Sequence, residues 1–235
     1  LRDSSRLVRM DAARALAGEP EAGLSEADRD AFANSLAEYI DGQLFNAERP
    51  ESHANLGNLY NDQGKVDEAR AAFRTALDLD GRFVGASIGW ADLERTAGNE
   101  TAAEDILRKS FAENPASGPL AHALALSLIR QKRISEAMSY LKQAATMAPE
   151  QPRFSYVLGV AQHDIGQTTD AMATLREALA RHPYDRDLLM AMITYDVEMG
   201  EIGPALERAE LLAALEPTSP QVAQLLASLK ARARQ

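Results

Sequence analysis

Small and apolar residues recur along this sequence with a long, constant period. Alanine stands at Ala69, Ala103, Ala137, Ala171 and Ala205, each step being 34 residues (103 − 69 = 34). A larger apolar residue follows four places on in most repeats, at Phe73, Leu107, Leu141 and Leu175. Spacing of i, i+4 puts both side chains on one face of an α-helix. A second series, Gly64, Gly98, Gly166 and Gly200, keeps the same step, with Lys132 in the middle place. A third is Gly81, Pro115, Pro149, Pro183 and Pro217. Proline cannot donate the backbone bond a helix needs and clashes with the preceding turn, so the third series marks helix ends. Glycine lets the chain reverse after a helix, which suits the second. Each unit therefore reads as helix, tight turn, helix, break, repeated five times in one register without insertion.

Within these units the residues resemble a known family. A 34-residue helix–turn–helix carrying a Leu-Gly pair, then Tyr, Ala, Phe, Ala and Pro, resembles the tetratricopeptide repeat (TPR). The unit 50–83 carries Leu56, Gly57, Tyr60, Gly64, Ala69, Phe73 and Ala76, with Gly81 in the proline place. The unit 152–185 carries Leu158, Gly159, Gly166, Ala171, Leu175, Ala178 and Pro183. The units 84–117 and 118–151 put Trp90-Ala91 and Leu124-Ala125 where Leu-Gly is usual. The unit 186–219 departs furthest, with Met192-Ile193, then Ala209 in the place of Phe and Leu212 in the place of Ala. The resemblance implies an all-α, right-handed α-solenoid of helix–turn–helix repeats that binds protein or peptide.

The flanks extend the array. Residues 220–235 hold an amphipathic segment with Val222, Leu225, Leu226 and Leu229, suited to cap the last unit. Residues 25–49 predict one helix of an incomplete repeat. Ser25 is its N-cap, with Asp28 three places on. Phe32, Leu36, Tyr39, Ile40 and Leu44 form its apolar stripe, and Tyr39 precedes Phe73 by one period (73 − 39 = 34). Residues 1–24 contain SSRLVRMDAARALA, which resembles the second helix of a HEAT-type repeat, and then a break from Gly18 to Gly23 through Pro20. Together with AEYIDGQLFNAERPE, LIRQKR and RHPYDRDLL, this helix resembles the C-terminal region of large bacterial multihaem c-type cytochromes that end in TPR repeats. That resemblance implies a module of an exported electron-transfer protein and a periplasmic location. The alternative is a cytoplasmic adaptor, or the accessory domain of an enzyme encoded upstream. Residue 1 is Leu and the chain opens inside a helical pattern, so further sequence is expected before it.

Composition narrows the chemistry. Net charge is −10, which disfavours a nucleic-acid partner because phosphate binding needs a basic surface. Charge is unevenly spread, with basic stretches at the two ends, as Arg2, Arg6, Arg9 and Arg14, and as Lys230, Arg232 and Arg234. With no cysteine there is no thiolate zinc site, no Cys nucleophile and no haem-attachment motif, so no cofactor is expected in these residues. No apolar run reaches the 18 or so residues of a membrane span. His53, His122, His163 and His182 form no HExxH or close pair. The acidic pairs Asp67-Glu68 and Glu104-Asp105 suit helix starts, where carboxylates meet the dipole, better than acid catalysis. No small-molecule substrate is evident, and the expectation is a non-catalytic scaffold.

In the repeat family the first helix of each unit lines the inner face, through its second, fifth, ninth and twelfth residues. Carried onto this sequence, the inner face is polar early, with Glu51, Asn58, Asn61, Asp92 and Arg95. It becomes apolar later, with His122, Leu126, Ile129, Tyr156, Val160, His163, Met190 and Val197. Such a stripe could dock a helix or an extended peptide, or it could pack internally or lie under the C-terminal segment. A clamp for a peptide's C-terminal carboxylate is not expected. Asn58 fits it, but Ala54 stands in a lysine place, and Pro119 and His122 supply no later cation.

Overall fold

The computed structural model describes residues 1–19 and 24–234. Pro20 and Gly23 of the expected break lie outside these residues. The described residues form thirteen α-helices and no strand, an all-α solenoid of helical repeats. They divide into two compact units, Leu1–Pro115 and Ala116–Gln235.

The first unit holds α1 (Arg6–Ala15), α2 (Glu26–Leu44), α3 (Pro50–Asp62), α4 (Val66–Leu79), α5 (Val84–Thr96) and α6 (Glu100–Glu113). The second holds α7 (Gly118–Arg130), α8 (Ile134–Met147), α9 (Pro152–Asp164), α10 (Thr168–Arg181), α11 (Arg186–Glu198), α12 (Ile202–Leu215) and α13 (Pro220–Arg232). From α3 on, odd-numbered helices begin 34 residues apart (84 − 50 = 34), and so do the even-numbered ones from α4 (100 − 66 = 34). We call the odd helix of each pair the first helix and the even one the second.

Local chemistry explains the boundaries. The side chains of Ser25, Ser117, Asp185 and Ser219 accept a hydrogen bond from the backbone N–H three residues on, capping α2, α7, α11 and α13. Pro50, Pro119, Pro152 and Pro220 stand in first turns, where the missing N–H costs nothing. Each first helix from α3 to α11 ends in a left-handed residue. In α3, Gly64 N–H donates to the Asn61 carbonyl at 2.9 Å and Lys65 N–H to the Tyr60 carbonyl at 2.8 Å, the paired bonds of a Schellman turn. The same turn closes α7, but there Lys132 holds φ 62°, where the other four units have glycine. A side chain in that conformation costs about 1–2 kcal/mol. The repeat therefore imposes its turn even on a residue that resists it.

The core sits between the two helices of each pair. In the first unit Phe73 is fully buried with Ala54, Ala69, Ala76, Ala86 and Leu93. In the second, one cluster joins Met172, Leu175 and Ala178 to Leu188, Met192 and Tyr195. Another joins Leu189, Ile193, Ala205, Ala209 and Leu212 to Val222 and Leu229 of α13. The segment 220–232 thus covers the last pair with its apolar side and exposes Lys230 and Arg232. At the other end α1 packs on α2, joined by the Arg9–Glu38 ion pair at 2.7 Å.

Candidate peptide-binding surface

The residues expected to line an inner face belong to first helices, whose second helix covers the opposite side. Ala54 is buried and takes no part in a surface. In the first unit Asn58 and Asp92 are exposed, and Asn61 and Arg95 half-buried. Asp92 and Arg95 form an i, i+3 ion pair at 2.6 Å. This stretch offers amide groups and a charge pair already satisfied on one helix, a surface for polar contacts and not for apolar anchoring.

In the second unit Leu126, Ile129, Tyr156, Val160, Met190 and Val197 are all half-buried. They occupy the fifth, ninth and twelfth places of α7, α9 and α11, which His122, His163 and the exposed Thr194 complete. Three of them are anchored from beneath: Tyr156 rests on the cluster around Leu188 and Tyr195, and Met190 and Val197 rest on the cluster that includes Val222 of α13. All six keep part of their surface in solvent, giving an accessible apolar stripe.

Two histidines join neighbouring first helices. The His122 ring stacks on Phe154 at 4.4 Å, and the His163 ring stacks on Tyr195 at 3.8 Å with planes 7° apart. His163 Nε2 also lies 2.9 Å from Glu198 Oε2. Neither aromatic partner emerged from the sequence, although a signal was present: each follows its histidine by 32 residues (154 − 122 = 32; 195 − 163 = 32). That is one period less two, the step to the facing side of the next first helix.

His122 is more enclosed than an open groove would leave it, with 7% of its surface exposed and neither ring nitrogen hydrogen-bonded. Burial, helped by the nearby charge of Arg153, lowers its pKa to about 4. The imidazole is therefore neutral at pH 7, and it acts as a flat apolar plate under the stripe. An unfolded histidine titrates near 6.5, so between about pH 6.5 and 4 the unfolded chain binds the extra proton. Stability falls as pH drops through that window, by about 3 kcal/mol from this residue. Denaturant unfolding at pH 7 and pH 4.5 should show this loss in the parent and a smaller one in His122→Phe. Equal losses in both would mean the ring is not held neutral.

The other candidate chemistry resolves into structure. His53 bonds the Ala47 carbonyl at 2.9 Å and His182 the Pro149 carbonyl at 3.0 Å. Glu104 is not the solvated helix-start carboxylate expected from its neighbours: it is buried five residues into α6 and bonds Arg108 at 2.6 Å. Glu94 carries no signal in the sequence pattern. It is 5% exposed and accepts from Arg70 Nε at 2.6 Å, Asn99 Nδ2 at 2.9 Å and Trp90 Nε1 at 3.0 Å. These bonds, led by Arg70, overcome burial and bring its pKa down to about 2. No group of acidic residues and histidines among the described residues could hold a metal ion. No described helix is long and apolar enough to cross a membrane.

Family models for the tetratricopeptide repeat match residues 94–161, 128–192 and 165–229, and a second such model matches residues 50–83. No curated protein matches the chain. Three solved structures are similar. PilF of Pseudomonas aeruginosa aligns with a TM-score of 0.65 at 21% identity, over 81% of this chain and 84% of that one. PilW, a type IV pilus biogenesis factor, aligns at 0.66 and 16%, over 95% and 99%. YrrB, described as a TPR protein with an unusual peptide-binding site, aligns at 0.57 and 18%, over 81% and 96%. At such identities these likenesses show the fold.

Proposed function

The chain belongs to the tetratricopeptide repeat family, whose members serve as protein-interaction scaffolds, and we propose that it binds a helix or extended peptide of a protein partner along the first helices of its second unit. The observation that carries this is the stripe of Leu126, Ile129, Tyr156, Val160 and Met190, apolar and half-exposed at the fifth, ninth and twelfth places of three successive first helices. A monomer gains nothing from leaving such a stripe in water, whereas a partner's apolar side chains gain on the order of 25 cal/mol per Å² buried there. Tyr156 supplies the rigid amphipathic surface common at binding hot spots. The first unit, taken by itself, offers hydrogen bonds from Asn58, Asn61, Asp92 and Arg95 rather than apolar pockets. His122 and His163 contribute as stacked plates. The role is non-catalytic.

The test is a photo-crosslinking residue at Val160 to identify the partner, followed by affinity measurements on Ile129→Ala/Tyr156→Ala. We expect the double variant to bind at least about tenfold more weakly, the loss of roughly 1.4 kcal/mol or more, with an unchanged thermal transition. Equal affinity would remove the stripe from the interface.

A finer setting, as a module of an exported, multihaem cytochrome-like electron-transfer protein, is proposed on the sequence phrases of residues 4–17, 37–51, 128–133 and 181–189 alone. An export signal and several CxxCH motifs in the gene upstream would support it. Their absence would leave the cytoplasmic adaptor or enzyme-accessory reading, and the stripe would be unaffected.

A further inference from the structure

The first unit contains a pocket that the inner-face reading does not use. It lies between the second helices α4 and α6, with α5 as its floor, and has a volume of about 390 Å³. The fourth residue of this first helix, on the pocket floor, is small, as it is in the next two repeats, which carry Ala121 and Ser155 there. Ser87 stands where the last repeat has the fully buried Leu189 (189 − 87 = 102, three periods). On that floor the Ser110 hydroxyl donates a 2.8 Å hydrogen bond to the Ser87 hydroxyl.

The walls are different. Trp90, half-buried, has its indole N–H committed to Glu94, which fixes the ring and leaves its face as the only interaction it can offer. Leu77 and Ile106 add apolar surface beside it. Asp78 of α4 and Asp105 of α6 are exposed among the lining residues, as is Glu113. None of these three carboxylates has a hydrogen bond or ion pair with another described residue, in a chain where most buried or half-buried acids are paired. Two cations, Arg74 and Lys109, line it as well and are likewise unpaired. The pocket thus carries one net negative charge within a chain of net charge −10.

We propose that this pocket binds an arginine side chain from a basic segment of a protein partner, its methylene stem against Trp90, Leu77 and Ile106 and its guanidinium on the carboxylates of Asp78 and Asp105. A planar, weakly hydrated guanidinium both stacks on an indole face and accepts two carboxylates in its donor fork, which an ammonium cannot do as well. The negative field of the chain draws a basic segment in. This site is separate from the apolar stripe of the second unit and would stand if that stripe failed its own test.

The protein provides its own reporter, because Trp90 is the one tryptophan of the chain. The full chain is titrated with an acetylated, amidated peptide Gly-Arg-Leu-Arg-Gly and with its Glu-Leu-Glu counterpart while Trp90 emission is followed. The expected result is a saturable change with the arginine peptide only, weakened by added salt and weakened at least about fivefold in Asp78→Asn/Asp105→Asn. Both aspartates are exposed, so the variant should melt like the parent. Lys109→Gln, which removes a competing cation, should tighten the arginine peptide. Preference for the glutamate peptide would hand the site to Arg74 and Lys109 and overturn the proposal. So would equal responses to both peptides, no saturable response at millimolar concentration, or no effect of the aspartate substitutions.

Discussion

Phe73→Ala should cost the first unit about 3–5 kcal/mol, the range for deleting a fully buried phenylalanine. Phe73 has no exposed surface and is held between two helices rather than against one. A Cβ placed on Gly57 of α3 would come 2.7 Å from the ring, and one on Gly89 of α5 would come 2.6 Å from it. The ring therefore lies directly on the backbone of both first helices, and its removal opens a void that neither glycine can fill. Because stability in repeat proteins is a sum of local and nearest-neighbour contributions, the loss should concentrate around α3, α4 and α5. Denaturant unfolding followed by Trp90 emission reads this region, and hydrogen exchange can compare it with α11 and α12. A loss below about 1 kcal/mol would mean that the ring is not the joint between these helices.

The same contact explains which parts of the sequence announced the fold and which misled. The places of Gly57 and Phe73, the eighth and twenty-fourth residues of a unit, touch each other in every pair where the structure gives the contact. Gly159 faces Leu175 with the same 2.7 Å approach. Along the chain these places read Gly and Phe, Ala and Leu, Ala and Leu, Gly and Leu, and finally Ile193 and Ala209. The last pair looked like a degraded repeat because Ala209 fills a place that takes Phe or Leu. Ile193 is 1% exposed and Ala209 is fully buried in one cluster, so the large and small partners have exchanged places. A packed core tolerates volume-conserving exchange. Residue identity at fixed spacing was thus a good guide to the helices, whose ends are set by local chemistry at Gly64, Gly98, Gly166, Gly200 and the prolines. It was a poorer guide wherever two positions had to be read together. The burial of His122 depends on Phe154, and the charge on Glu94 depends on Arg70, each on another helix. Lys132 shows the opposite case: its residue type argued against the turn, and the bonds that the Lys132 and Arg133 N–H groups donate to the Ile129 and Leu128 carbonyls enforced it.

Arg70→Ala should destabilise the first unit by about 2–3 kcal/mol, below the 3–5 kcal/mol of a wholly buried pair because Arg70 keeps 32% of its side chain in solvent. The substitution removes two hydrogen bonds and the counter-charge from Glu94, whose side chain is only 7% exposed, and leaves that carboxylate to Trp90 and Asn99 alone. Glu94→Gln should cost less, since its amide oxygen can still accept from Trp90 or Asn99 and the remaining Arg70 can turn to water and to Asp67, 2.9 Å away. The asymmetry between the two variants is the signature of a buried charge, because two surface partners would lose equal and small amounts. Acid unfolding gives the second signature. Glu94 has its folded pKa depressed to about 2, so its contribution is complete above the unfolded value near 4.5 and is lost as pH falls through 2. In that window the unfolded chain takes up a proton that the folded chain refuses, and stability falls with falling pH. Arg70→Ala should flatten this part of the profile without touching the loss between pH 6.5 and 4 that belongs to His122 in the other unit. An unaltered acid limb in Arg70→Ala would show that Glu94 owes its charge to Trp90, Asn99 and solvent, and that the first unit is not held together by this ion pair.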